Sequence, residues 1–143
     1  MTSPSTEPDP VKIVVESAYE VLETVVDKAH DFCLHCQCPD DVLHKVMLLT
    51  SEAVTNAIKH GNRLSKDKVV HVEFYHRNEA IEVWVQDEGD GFEREEIPNP
   101  LAEEHLLDTG GRGIFLIERM ADEVRYELDG RRVGMFFALN RVS

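Results

Sequence analysis

Basic residues are scarce in this chain. Only 15 lysines and arginines stand against 28 aspartates and glutamates, for a formal net charge of -13. Such a field is a poor match for nucleic acid or an anionic membrane, whose phosphates call for clustered cations. A basic protein surface is the better electrostatic partner. Cysteine is also sparse, and Cys33, Cys36 and Cys38 all fall in one short stretch. An odd, clustered set of this kind is not a secreted disulfide framework. No apolar run approaches the roughly 20 residues that a membrane-spanning helix needs. The amino-terminal stretch carries Pro4, Pro8 and Pro10 and lacks the basic or apolar block of a targeting segment. These absences lead to the expectation of a cytoplasmic protein with no direct nucleic-acid contact and no membrane contact.

What is present points to one folded domain. The chain has 143 residues, 42% of them hydrophobic and 30% charged. A domain of this size buries about two thirds of its unfolded surface and needs no covalent or metal staple. Residues 1–10 are expected to be a flexible tail, and residues 11–143 the domain. Val11 to Val15 is rich in β-branched residues and predicts a strand. From Ala18 to about His35, Val21, Leu22, Val25, Val26, Ala29 and Phe32 recur at helical spacing. Pro39 interrupts the pattern, and Asp40 or Asp41 is the expected cap of a second helix. That helix buries Val42, Val46, Leu49, Ala53 and Ala57 and ends near Gly61. The period then changes to two over Lys68–His76 and Ala80–Asp87, which the short link Arg77-Asn78-Glu79 joins as a hairpin. An irregular stretch is expected from Gly89 to about Gly113, then a helix from Ile114 to Ala121. A second hairpin, Glu123–Leu128 and Val133–Leu139, turns at Asp129-Gly130. The expected fold class is α/β, an α+β two-layer sandwich. It has a mixed, largely antiparallel sheet with helices on one face. Trp84 and Phe74 are expected between sheet and helices.

Three segments carry chemistry. In Ser51-Glu-Ala-Val-Thr-Asn-Ala-Ile-Lys-His-Gly61, Glu52 and Asn56 lie four residues apart and share one helix face. A carboxylate and an amide oxygen one turn apart can hold a hydroxyl or water and a hard cation such as Mg²⁺. In Asp87-Glu-Gly-Asp-Gly-Phe92, Gly89 and Gly91 permit close approach of a ligand, and Asp87 can accept a hydrogen bond from an exocyclic amine. In Thr109-Gly-Gly-Arg-Gly-Ile114, Gly110, Gly111 and Gly113 lead into a helix N-terminus, a geometry suited to phosphate, and Arg112 adds a cation.

Taken together and in this order, the segments resemble the Bergerat, or GHKL, ATP-binding fold shared by gyrase, MutL and histidine kinases. The first segment, and Gly110-Gly-Arg-Gly-Ile-Phe-Leu-Ile-Glu118 with Met120 and Asp122-Glu-Val124, are similar to the boxes of the anti-sigma factor serine/threonine-protein kinases. The resemblance spans about Val11 to Val142. It implies ATP and Mg²⁺ as cofactors, with Glu52 as the general base and Asn56 as the Mg²⁺ ligand. Asp87 would read adenine, Gly89 and Gly91 would admit the base, and Gly110, Gly111 and Gly113 would serve lid and phosphates. It further implies a sigma factor and an anti-anti-sigma antagonist as partners, the antagonist being phosphorylated, and a homodimer as an assembly. A switch kinase acting on a scaffold protein and a non-catalytic ATP-binding interaction module remain alternatives.

Two departures stand out. Where many relatives carry Gly-Thr in the last hairpin, this chain has Gly134-Met135, which shifts adenine recognition toward Asp87 and ordered water. The segment between Phe92 and Asp108 is acidic, which leaves Arg112 and Lys59 as the expected cations for phosphate. His30, Cys33, His35, Cys36 and Cys38 have spacing that suits zinc or redox chemistry. The family resemblance does not require them, and small apolar residues at a helix end are the alternative. His60 is expected to be a helix-end residue near the nucleotide pocket, not a phosphorylated histidine.

Overall fold

The computed structural model describes residues 8–89 and 109–139, with side chains in the second range from Gly113 onward. Residues 1–7, Gly91 and the acidic segment 92–108 lie outside the described residues. The elements are β1 (Val11–Glu16), α1 (Leu22–His35), α2 (Asp40–Asn56), β2 (Val69–Arg77), β3 (Ala80–Gln86), α3 (Thr109–Met120), β4 (Glu123–Glu127) and β5 (Arg132–Ala138). A short 3₁₀ turn, Tyr19–Val21, precedes α1, so the α-helix proper starts later than the apolar stripe suggests. A wider π-type turn, Ala57–Gly61, extends α2. Pro39 rather than an aspartate is the N-cap of α2, while Asp40 and Asp41 sit in its first turn and face the positive end of the helix dipole.

The strands form one sheet in the order β1-β2-β3-β5-β4. Every adjacent pair is antiparallel. The expectation of a mixed sheet is therefore corrected among the described strands. The reason is topological. A pair of helices returns the chain to the end of the sheet it left, so β2 runs against β1. The single helix α3 makes β4 run in the direction of β3, but β5 inserts between them, and no parallel pair forms. Asn78 and Glu79 both adopt left-handed backbone, with φ of 56° and 58°, and make the two-residue hairpin turn between β2 and β3.

The helices cover one face. Val25, Ala29 and Phe32 of α1, and Val42, Val46, Leu49 and Ala53 of α2, pack on Val70, Val72 and Phe74 of β2 and Ile81, Val83 and Val85 of β3. Met135 and Phe137 of β5 and Ile117 of α3 complete this core. Phe32 and Phe74 meet with ring centroids 5.8 Å apart. Cys33 and Cys36 are buried members of the same core, and Cys38 is half-buried; all three are free thiols. A hydrogen bond with Cys38, reinforced by burial, pushes the Cys33 thiol up, and the same bond lowers Cys38.

Trp84 corrects a second expectation. It lies on the face of the sheet opposite the helices, because alternation on β3 puts it with Glu82 and not with Val83 and Val85. It is nonetheless only 5% exposed. The Arg132 guanidinium lies 4.4 Å over its ring, and Phe136 meets it edge-on at 5.7 Å. Its Nε1–H donates to Glu82 Oε1 at 3.1 Å, and Arg77 donates two bonds to the same carboxylate at 2.8 Å each. The Arg77 bonds hold the Glu82 carboxyl below the usual glutamate range despite its burial.

Gly134 is the cross-strand partner of Trp84. A Cβ on Gly134 would lie 2.5 Å from two carbons of the indole. The Gly134→Ala substitution is expected to destabilise the fold by about 1–3 kcal/mol, the usual cost of overpacking. Urea unfolding of the two proteins measures this.

Candidate active site

Helix α2 supplies two of the expected residues. Glu52 and Asn56 sit one turn apart, both half-buried, on the side facing α3. Their neighbours Ala53 and Ala57 are buried and small, which lets the helix lie close to the sheet. Gly113 of α3 comes against both side chains. A Cβ built there would stand 2.7 Å from Glu52 Oε2 and 3.2 Å from Asn56 Nδ2. A side chain here would push the Glu52 carboxylate aside. The Asn56 Nδ2 atom is buried and has no hydrogen-bond partner among the described residues. A buried amide left unsatisfied costs about 1–3 kcal/mol, which a ligand at this position would recover.

Asp87 directly follows β3. It is 6% exposed, and its carboxylate packs against the π-type turn. A Cβ on Gly61 would fall 2.2 Å from Asp87 Oδ2, and one on Gly89 would fall 1.9 Å from the Gly61 carbonyl oxygen. Asp87 N–H donates to the Arg131 carbonyl at 2.8 Å, and Gly89 N–H donates to Asp87 Oδ1 at 2.8 Å. Burial pushes the carboxyl above the usual aspartate range. The Gly89 bond and the charges of Arg131 and Lys68 offset part of that rise.

Asn56, Asp87, Ile114 and Arg131 share the wall of one small cavity, about 30 Å³ in volume. Tyr126 and Val133 close it from the last hairpin. Glu52, Asn56, Asp87, Gly89 and Gly113 thus cluster around the meeting of α2, α3 and the β3 end. Gly110 and Gly111 belong to the first turn of α3, which begins at Thr109 and not near Ile114. The expected glycine-rich turn is therefore helical. The Arg112 side chain and Gly91 lie outside the description. Lys59 is exposed and does not line the cavity. Arg131 does, and no motif marked it; its only signal was its place just after the Asp129-Gly130 turn. Met135 is fully buried opposite Val83, and it is Val133 that reaches the cavity. Among the described residues no group of three or more His, Cys, Asp or Glu side chains is arranged to hold a metal ion.

Residues 15–137 match the family model of the histidine kinase-like ATPase domain. The chain belongs to that family. Among relatives of this ATPase domain, a serine-protein kinase RsbW of Bacillus licheniformis is 35% identical over 108 residues, covering 71% of this chain and 68% of the relative. The serine-protein kinase RsbW of Bacillus subtilis (strain 168) is 33% identical over 93 residues, covering 61% of this chain and 58% of its own length. An anti-sigma F factor of Priestia megaterium is 36% identical over 90 residues, or 61% of each chain. The ATPase domain is thereby a member of the anti-sigma factor serine/threonine kinases, a class of protein kinases that use ATP. The crystal structure of the RsbU and RsbW domains of Rv1364c from Mycobacterium tuberculosis superposes on 95% of this chain and 34% of that one. Its TM-score is 0.64 at 17% identity, a likeness of fold. No helix among the described residues is long and apolar enough to cross a membrane.

The raised pKa of Asp87 has two measurable consequences. In the folded protein Asp87 holds its proton to higher pH than in the unfolded chain. Its contribution to stability therefore rises as pH falls through the folded-state pKa, and it is a net cost at neutral pH. Asp87→Asn is expected to raise the melting temperature at pH 7, and that gain should shrink as pH falls toward the folded-state pKa of Asp87. Thermal unfolding of the two proteins across pH checks both.

Proposed function

We propose that this domain, formed by residues 11–143 after a tail of residues 1–10, binds ATP with Mg²⁺ and phosphorylates a serine of an antagonist protein. In the complementary state it sequesters a sigma factor and so regulates transcription in the cytoplasm. Nucleotide state and antagonist phosphorylation then decide which partner is held. A homodimer is part of this proposal. The observation that carries it is the convergence of Glu52 and the unsatisfied Asn56 amide on Gly113, beside a buried carboxylate at Asp87.

Asp87 is proposed to accept a hydrogen bond from the exocyclic amine of adenine. Gly61 and Gly89 keep its carboxylate in place, and Gly89 with Gly91 lets the base approach. The Asn56 amide oxygen suits a single protein ligand for Mg²⁺, a cation that keeps several waters and binds phosphate oxygens. When bound, Mg²⁺ would neutralise charge on the phosphates. Gly110, Gly111, Arg112 and Gly113 are proposed to face the phosphate tail, with Lys59 as a further cation at its margin.

Glu52 is proposed to take the proton from the substrate serine hydroxyl. The serine oxygen forms a bond to the γ-phosphorus as the bond from that phosphorus to the β-phosphate oxygen breaks, and ADP leaves. Phosphoryl transfer asks the protein mainly for positioning and charge compensation, and Glu52 stands one helical turn from the proposed Mg²⁺ ligand.

Glu52→Gln keeps shape and loses basicity. It should bind ATP nearly as well as the unmodified protein and phosphorylate an antagonist about 10²–10⁴-fold more slowly. Labelled ATP with a candidate antagonist measures the rate. An unmodified protein that binds ATP and phosphorylates no candidate would instead favour the non-catalytic module. Arg112→Ala should narrow the ratio of ATP to adenosine affinity, since its proposed contact is with phosphate; an unchanged ratio would remove Arg112 from the site.

A further inference from the structure

We infer that Asn62 is a positioning residue that sets the Asp87 carboxylate, and with it the preference of the site for adenine over a 6-oxo purine. The inference rests on the proposed role of Asp87 as the reader of adenine. Asn62 is a polar side chain only 1% exposed, and nothing in its sequence context marks it. Its side chain bonds in three directions. Nδ2 donates to Ser17 Oγ at 2.8 Å and to the Val69 carbonyl at 3.0 Å. Oδ1 accepts the Glu88 N–H at 2.7 Å. One amide thereby joins the end of β1, the start of β2 and the residue next to Asp87.

The partners are themselves tied. Ser17 Oγ donates to the Lys68 carbonyl at 2.6 Å, and Glu88 Oε1 accepts the Val69 N–H at 2.8 Å. The backbone of Asn62 adds a second hold on the same place. Its N–H donates to the Ala57 carbonyl at 2.8 Å and closes the π-type turn. That turn carries Gly61, the wall against which the Asp87 carboxylate lies. Asn62 therefore fixes both the chain that bears Asp87 and the surface that confines it. Asp87 N–H is separately held by the carbonyl of Arg131, just after the turn between β4 and β5. Removing the Asn62 amide leaves the Glu88 N–H, the Ser17 hydroxyl and the Val69 carbonyl short of a partner. The strand end can recover those bonds only by moving toward water, and Asp87 moves with it.

Discrimination between ATP and inosine triphosphate reads this position. The two nucleotides share ribose and phosphates and differ at the 6-substituent that Asp87 is proposed to meet. Both affinities are measured on the same preparation, so a reduced folded fraction cancels in their ratio. Asn62→Ala is expected to lower the preference for ATP by about tenfold, the scale of one hydrogen bond to a charged group. Asp87→Asn should lower it in the same direction. The double variant should show little further loss, as expected for residues acting through one contact. A melting temperature that drops while the ratio stays at its unmodified value would overturn the inference and leave Asn62 a stability residue. If Asn62→Ala does not fold, Asn62→Ser reads the same ratio. Serine retains a hydroxyl for one buried partner and is too short to reach the Glu88 N–H; an unchanged ratio there overturns the inference equally. The parent reading fails separately. If the unmodified protein does not prefer ATP and Asp87→Asn binds ATP unchanged, Asp87 is not the reader of adenine, and the role of Asn62 falls with it.

Discussion

Taking a carboxylate out of water is expensive unless protein donors replace its hydration, and Asp87 is held under that constraint at the end of the central strand. Its surroundings follow from it. Gly61 and Gly89 are small because the carboxylate and the chain after it leave no space for a side chain. Gly89 N–H supplies a donor, and Arg131 and Lys68 supply opposite charge at longer range. The α2 helix opens into a π-type turn at this point, which presents Gly61 to the acid. Such turns inside helices frequently accompany functional sites. The remaining cost shows as a carboxyl held above the usual aspartate range.

The sheet solves its two faces with different chemistry. The inner face is aliphatic and aromatic and is covered by helices. On the outer face, guanidinium groups lie over rings. Arg132 covers Trp84, Arg125 lies 4.7 Å over Phe136, and Arg77 lies 4.2 Å over Tyr75. Carboxylates then engage the same cations: Glu82 binds Arg77, and Glu127 and Glu73 reach Arg132 at 3.1 Å and 3.4 Å. An arginine used this way covers apolar area and keeps its charge wet. The central strand is thus buried on both sides by a three-layer arrangement in which the third layer is made of side chains alone.

Most of the fold was legible because the two periods, helical and alternating, are clean in this sequence. Every stripe position of α2, from Val42 to Ala57, is buried. The errors have identifiable causes. Strand β3 is apolar at Ile81, Val83, Trp84 and Val85, so hydrophobicity alone did not distinguish its faces; Glu82, which shares parity with Trp84, was the overlooked sign. The start of α3 was set too late because three glycines lower helix propensity, and tertiary packing against Glu52 and Asn56 outweighs that cost. The sheet was read as mixed because the insertion of β5 between β3 and β4 is a long-range choice that no local pattern carries. In the site, Glu52, Asn56 and Asp87 were legible because their spacing forms a joint motif. Arg131, Tyr126 and Asn62 were not. They act by lining or bracing, roles that many residue types fill and that leave no signature in a single sequence.

The cavity of about 30 Å³ between Asp87 and α3 holds roughly one water molecule, whereas ligand sites commonly offer about 300 Å³ or more. On the proposed nucleotide reading, a purine would enter this cavity only with Ile114 and its helix drawn away from Asn56 and the last hairpin. The measured affinity is then the intrinsic one reduced by the fraction of molecules already open. Any surface that holds α3 against α2 would then weaken nucleotide binding, and any that holds it away would strengthen it. By reciprocity, bound nucleotide alters the affinity for that surface by the same factor. On that same reading, the dimensions of one small crevice would make this helix a lever through which events at the protein's exterior and occupancy of its interior are read against each other.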